Sequence, residues 1–290
     1  MTSSHPWHNR RSFMSAALAA GVMAGPGITG SGIARAQDMS GNQEAAVGMV
    51  EPPEDLQIVG EAEVIKVIDG DTVRLSTGQE VRLVGIQAPK LSLGRREVAD
   101  WPYGNQSREA LLFDLINRNV RYGHAGNLMD RHGRGLAHLV RDDGNWVQGW
   151  MIANGHARVY SFPDNRLFVR RLQELEIAAR AARRGLWALN LYAIRQATDK
   201  SIKPYSFFHL IEGQVQATGD ARGWRYLNFG PDWKTDFTVA IKADDQRRFR
   251  DEWPDWETLV NRQVRVRGWV YYHNGPAIDV THPEQIEVIG

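Results

Sequence analysis

The stretch Val67-Ile68-Asp69-Gly70-Asp71-Thr72-Val73-Arg74-Leu75 carries the first strong structural signal in the chain. A β-branched run from Val64 to Ile68 stops at Asp69-Gly70, a dipeptide suited to a tight hairpin turn. Thr72-Val73-Arg74-Leu75 then alternates as a second strand. Thr77-Gly78-Gln79 turns the chain again, and Val81-Arg82-Leu83-Val84-Gly85-Ile86 reads as a third. The result is a three-stranded meander.

Downstream the period lengthens. Leu111, Leu112, Leu115 and Ile116 mark one face of a helix over residues 106–117. Strands are expected at residues 120–122 and 136–140, and a short helix over 146–154 ends at Gly155. After Pro163-Asp164, the residues Phe168, Leu172, Leu175, Ala179, Ala182 and Leu186 step by four and three along one stripe. Gly185 is placed to cap that last helix. Five short strands with three helices are the pattern of an oligonucleotide-binding-type (OB-type) five-stranded β-barrel with helical additions.

The quoted hairpin and Val81-Arg82-Leu83 are similar to the opening of the staphylococcal nuclease family. Tyr103-Gly104, Asp130-Arg131-His132-Gly133-Arg134-Gly135-Leu136-Ala137, Asn154-Gly155-His156-Ala157-Arg158-Val159 and Arg183-Arg184-Gly185-Leu186-Trp187 follow in that family's order and spacing. The resemblance covers residues 60–190 and implies hydrolysis of nucleic-acid phosphodiesters, DNA or RNA. Such chemistry needs guanidiniums to grip phosphoryl oxygens, a carboxylate-held divalent cation and a base for water. The family's two arginines fall at Arg82 and Arg134, and its first calcium-binding aspartate at Asp71.

Two positions depart. The second calcium ligand falls at Gln87, which offers a neutral carbonyl, and the glutamate assigned to water falls at Lys90. An ammonium about 4 Å from a cation, at an effective dielectric near 20, repels it by on the order of 4 kcal/mol. Any calcium site is therefore weakened, and a protonated lysine is no base at neutral pH. Three readings follow. The domain is a phosphodiesterase in which Arg82, Lys90 and Arg134 clamp the phosphate without metal, with His132, His138, Glu97 and Asp100 as candidate bases. Alternatively it is a degenerate module that binds nucleic acid or another anion, or an envelope scaffold that binds protein or oligosaccharide.

Strands resume after a connector over residues 191–205, at residues 210–215, 224–230, 237–241, 263–270 and 277–280, with a helix around 256–261 and Asn274-Gly275 as a hairpin turn. The whole is thus expected to be mainly β with helices, with a second, small OB-like β-barrel over 206–290. Arg265 and Arg267 share a strand face near Trp224, Tyr226 and Phe229, where they could track a single strand of nucleic acid. The competing reading, with aromatics in a core and arginines in solvent, is the favoured one.

Asn9-Arg10-Arg11-Ser12-Phe13-Met14, an apolar run over 16–24 and Ala34-Arg35-Ala36 resemble a twin-arginine signal peptide over 1–36. The apolar run is too short for a membrane span. The expectation is a periplasmic or secreted protein starting at Gln37, with residues 37–59 a disordered acidic linker. Cysteine is absent, which excludes disulfides and thiolate chemistry. Lys+Arg 35 against Asp+Glu 34 excludes a globally basic nucleic-acid binder, so phosphate attraction has to be local. The expected partner is nucleic acid, and the oligomeric state is open.

Overall fold

The structure is a computed structural model that describes residues 46–202 and 207–289; the signal segment lies outside them. The chain runs β1 (Ile58–Asp69), β2 (Thr72–Leu75), β3 (Glu80–Leu83), β4 (Ile86–Gln87), α1 (Gly104–Leu115), β5 (Asn119–Gly123), β6 (Gly135–Arg141), α2 (Val147–Ala153), β7 (Arg158–Val159) and α3 (Val169–Ala181). Strands β1-β2-β3-β6-β5 close into a barrel, antiparallel except for β3 and β6. Val64, Val73, Leu75, Leu83, Val120 and Leu139 fill it, and α1 and α2 contribute Leu111, Leu115, Met151 and Ile152 to the same core. Burying each such side chain stabilises the fold by roughly 1.5–3 kcal/mol. The hairpin of β1 and β2 turns at Gly70, and a Cβ there would lie 2.0 Å from Ser107 Oγ. Glycine is needed at that point because α1 packs against the turn.

Three expectations are corrected. Residues 46–57 are not a free linker. Val50 and Leu56 are buried in the barrel core, Val47 N and Val50 N donate to Asn154 Oδ1 and Asn145 Oδ1, and Trp146 N donates to Val50 O. A few apolar residues in a polar, acidic stretch suffice to strap it to α2. Gly185 does not cap α3. The helix ends at Ala182, with Arg183 in the left-handed region (φ 52). Gly185 instead lies against Gly155: a Cβ on it would fall 2.2 Å from Gly155 O, and Leu186 N donates to that oxygen. The residues 191–205 are not merely a connector either. Tyr192 is buried with its hydroxyl on Pro102 O, and β8 (Arg195–Gln196) pairs with the next strand.

The second sheet holds β8, β9 (Phe208–Gln214), β10 (Ala217–Ala221), β11 (Trp224–Asn228), β12 (Thr238–Ile241), β13 (Gln263–Tyr272), β14 (Pro276–Asp279) and β15 (Ile286–Val288). The predicted helix near 256–261 is a single 3-10 turn, Trp256–Leu259. Its pairing runs β10-β11-β12-β14-β13-β9. Val215 and Gln216 join β9 to β10, which stand at opposite ends of that order and are not paired with each other. The one parallel pair within that order, β12 with β14, stands where β3 and β6 stand in the barrel. Ile211, Leu227, Val239, Ile241, Val266 and Ile278 form a separate core.

The two cores meet through the outer face of β13. Arg267 is fully buried between Glu176 of α3 and Glu287 of β15, and also donates to Val159 O. Gln173 Nε2 donates to Glu284 O, Arg166 pairs with Glu284 at 2.9 Å, and Ser161 Oγ is 2.7 Å from His282 Nε2. The stripe that packs α3 on the barrel is apolar; the side that receives the second sheet is made of Gln173 and Glu176.

Candidate active site

Asp71 follows the first turn and is nearly buried. Its Oδ2 accepts from Ala88 N at 2.8 Å and lies 3.2 Å from Arg82 Nη2, while its Oδ1 accepts from Thr72 Oγ1 at 3.2 Å. Burial pushes this carboxyl up to about 7; Arg82 pulls the other way and Asp69 adds to the rise. The pairing of β2 with β3 sets Arg82 opposite Thr72 and so beside Asp71. Arg82 also donates to the carbonyls of Leu83 (2.7 Å), Ile86 (2.8 Å) and Asp71 (3.4 Å). That holds the guanidinium flat against the bend between β3 and β4.

Arg134 arrives from the turn before β6. Asp130 organises that turn, accepting from His132 N and Arg134 N, and pairs with the Arg134 side chain at 2.7 Å. Nη1 of Arg134 reaches Thr72 Oγ1 at 3.5 Å. Arg82, Asp71, Thr72 and Arg134 thus form one connected group at one end of the barrel, with Arg134 the more exposed of the two cations.

Gln87 does not face this group as a ligand. Its Oε1 accepts from Arg158 Nε (3.3 Å) and Nη2 (2.7 Å). Arg158 is buried, donates to Phe208 O at 2.8 Å, and lies under the rings of Phe208, Phe207, Trp101 and Tyr192. Burial lowers its guanidinium to about 10, which leaves it charged at neutral pH. Lys90 is half-buried, its Nζ 5.2 Å from the Trp101 ring centre and 4.7 Å from that of Trp269. Burial, then the charge of Arg158, hold its ammonium below the usual lysine value, while Asp71 raises it.

A calcium ion does not fit this donor set. Calcium takes six to eight oxygens. Asp71 shares its oxygens among Arg82, Ala88 N and Thr72, and Gln87 gives its carbonyl to Arg158. Asp69 is the other carboxylate beside Asp71, so two carboxylates, one of them paired to a guanidinium, stand where six to eight oxygens are needed. Among the described residues no three His, Asp or Glu side chains gather as a metal site would need.

Of the candidate bases, His138 is excluded. It is buried against Trp146 and Phe168, and burial lowers its imidazole to about 3. Asp100 is committed to Ser92 N, and Glu97 and His132 lie exposed on loops. Arg265 and Arg267 are not free for nucleic acid: Arg265 is held between Glu212 (2.5 Å) and Glu287 (3.0 Å), and Arg267 is in the buried junction. Phe229 is core, as the favoured reading had it, but the arginines are not in solvent. Arg158, Trp101 and Trp269 were missed as site residues. Most of the partners of Arg158 and Trp269 are distant in sequence, such as Phe208 for Arg158 and Tyr160 for Trp269. Trp101 sits in a loop with no periodic signal, and only the Asn154–Val159 motif pointed to one of the three.

Residues 80–189 match the family model described as staphylococcal nuclease homologue. That segment is a staphylococcal-nuclease-like domain. The match starts at β3, so Asp71 lies just before it. The chain is 38% identical over 104 residues to the succinoglycan biosynthesis protein ExoI of Rhizobium meliloti (strain 1021), covering 34% of this chain and 51% of that protein. It is 32% identical over 115 residues to "Probable staphylococcal-like nuclease CAN2" of Oryza sativa subsp. japonica, covering 39% of this chain and 27% of that protein. The chain thus spans about half of one relative and about a quarter of the other. The match takes in β3 to β7 of the barrel half and α1–α3; β1, β2 and the second sheet lie outside it.

Proposed function

We propose that the protein binds nucleic-acid phosphodiesters at the Asp71–Arg82–Lys90–Arg134 end of the barrel and hydrolyses them with protein cations in place of a calcium shell. The supporting observation is the linked group in which Arg134 joins Asp71 and Arg82 through Thr72, with Lys90 near enough to feel Asp71. A phosphate entering beside Arg134 would exchange Asp130 and Thr72 for its own oxygens, a charge-assisted substitution. Water would attack phosphorus and lose a proton to Asp71, a group raised to about 7, and as the ester P–O bond breaks the leaving oxygen would take that proton back to depart as a hydroxyl.

The test is cleavage of fluorescent single- and double-stranded DNA and RNA by the chain from Gln37, beside Arg134→Ala. Cleavage lost in the variant supports the reading; cleavage that Arg134→Ala leaves intact sinks it. A second reading, binding without turnover, is favoured by the commitment of Arg82 to three backbone carbonyls. It predicts salt-dependent retention of oligonucleotides with no product. We further propose that residues 1–36 direct twin-arginine export to the periplasm or the medium, and that residues 206–290 form an OB-like module. The name of the Rhizobium relative, a succinoglycan biosynthesis protein, keeps an envelope role open beside these. Among the described residues no helix is long and apolar enough to cross a membrane.

A further inference from the structure

Lys90 stands at the seam between the two sheets, and its surroundings come from both. Trp101, in the loop between β4 and α1, is tied to it through the backbone, since Trp101 N donates to Lys90 O at 2.8 Å. The other ring, Trp269, belongs to β13, on the face that also carries Arg265 and Arg267. Its Nε1 donates to Tyr160 OH at 3.3 Å, and its ring packs at 78° against Phe208. These contacts fix the ring while Lys90 Nζ lies over it at 4.7 Å. Beyond Lys90 lie Arg158, Asp71, Arg95 and Arg82. Three of these four charges are positive, so an ammonium left to itself would swing to solvent. Two tryptophan faces, each with a negative quadrupole, offset that repulsion.

We propose that Trp269 is a positioning residue: through Lys90 the second sheet holds a cation at the barrel's phosphate end, so the site is shared between both halves of the chain. The same junction holds Arg158, through Phe208 O and the rings of Phe207 and Phe208. A barrel without its second sheet would keep Arg82 and Arg134 and lose the fixed place of Lys90. The proposal deepens the functional reading above and rests on it for its consequence, while the geometry it asserts is testable alone.

The experiment is reductive methylation of the full chain with 13C-formaldehyde, followed by NMR of the lysine methyl groups. The sequence has Lys66, Lys90, Lys200, Lys203, Lys234 and Lys242, and Lys90→Arg identifies the signal. Facing two indole rings, the Lys90 methyls resonate upfield of exposed Lys66 and Lys200. Those two are the exposed reference because Lys234 and Lys242 each lie over a ring of their own, Trp233 and Trp224. Trp269→Leu moves them to the exposed position, and Trp269→Phe, which keeps a ring, moves them part of the way. Anisotropy of a labelled single-stranded oligonucleotide then weakens about tenfold in Trp269→Leu, the size of a desolvated cation–π contact, and not further in a Lys90→Ala background. A Lys90 signal that coincides with the exposed lysines in the parent overturns the proposal. So does one that stays in place in Trp269→Leu while Trp269→Phe shows the same fold by circular dichroism. If the signal behaves as stated but no oligonucleotide binds, the positioning stands and the phosphodiester reading falls.

Discussion

Arg82 on β3 and Arg267 on β13 each lie on a strand of one of the two sheets and meet opposite fates. Arg82 has one carboxylate at 3.2 Å and several backbone carbonyls, and Arg134 beside it has one carboxylate and a side chain still partly open to solvent. Arg267 has two carboxylates and no exposure, and Arg265 has two as well. A guanidinium is available to an anionic ligand when the protein leaves part of its charge and some of its donors uncompensated. By that measure Arg134, still partly open to solvent, is the cation left available at the barrel end, and the buried, doubly paired arginines of β13 are not. The pair on β13 serves instead to join the sheets.

The comparison can be broken at four points. Arg267→Ala leaves buried Glu176 with Val159 N and, at 4.0 Å, Arg180 but without its close ion pair, and unfolding by denaturant should show a loss of about 3 kcal/mol. An unchanged midpoint would mean that the junction adds nothing. Arg134→Ala should lower cleavage by about 10²–10³-fold, as loss of one transition-state donor does, while stability changes by less than ~1 kcal/mol.

Asp71→Asn tests the raised carboxyl. Its value rises on folding from 3.8 to about 7, so the folded state holds the proton more tightly. Stability is then lost as pH climbs through that window, and the loss is complete above it. Relative to the parent, Asp71→Asn should gain stability from pH 5 to pH 8, by up to about 3 kcal/mol. A pH-independent difference would show that Arg82 keeps the carboxyl ionised throughout. The smallest effect is expected at Arg265→Gln, about 1 kcal/mol of stability and no change in oligonucleotide affinity. Weakened binding there would return β13 to the list of nucleic-acid surfaces.

The fold of the barrel was legible because its signals are local. Asp69-Gly70 and the alternation on either side fix β1 and β2, and the spacing of Phe168, Leu172 and Ala179 fixes α3. What was legible of the candidate site is the grouping of Asp71, Arg82 and Arg134, which motifs carry. It was not legible where partners are distant. Gln87 read as a weak ligand because its true partner, Arg158, is 71 residues away. Glu176 and Gln173 drew no reading from the sequence, since nothing near them announces a second sheet that meets them 91 and 111 residues on. Strand β10, with Thr218-Gly219-Asp220, has neither alternation nor β-branched density, and forms because β11 offers a ladder. Arg265 and Arg267 show the same limit from the other side. Period two put them on one face, but periodicity does not tell a solvent face from a docking face.

The central claim is that protein cations stand where the family keeps a metal, and the most direct measurement is the cleavage rate of the chain from Gln37 in calcium and in excess chelator. The account predicts equal rates in the two, both reduced by Lys90→Ala. A rate that requires calcium would contradict it.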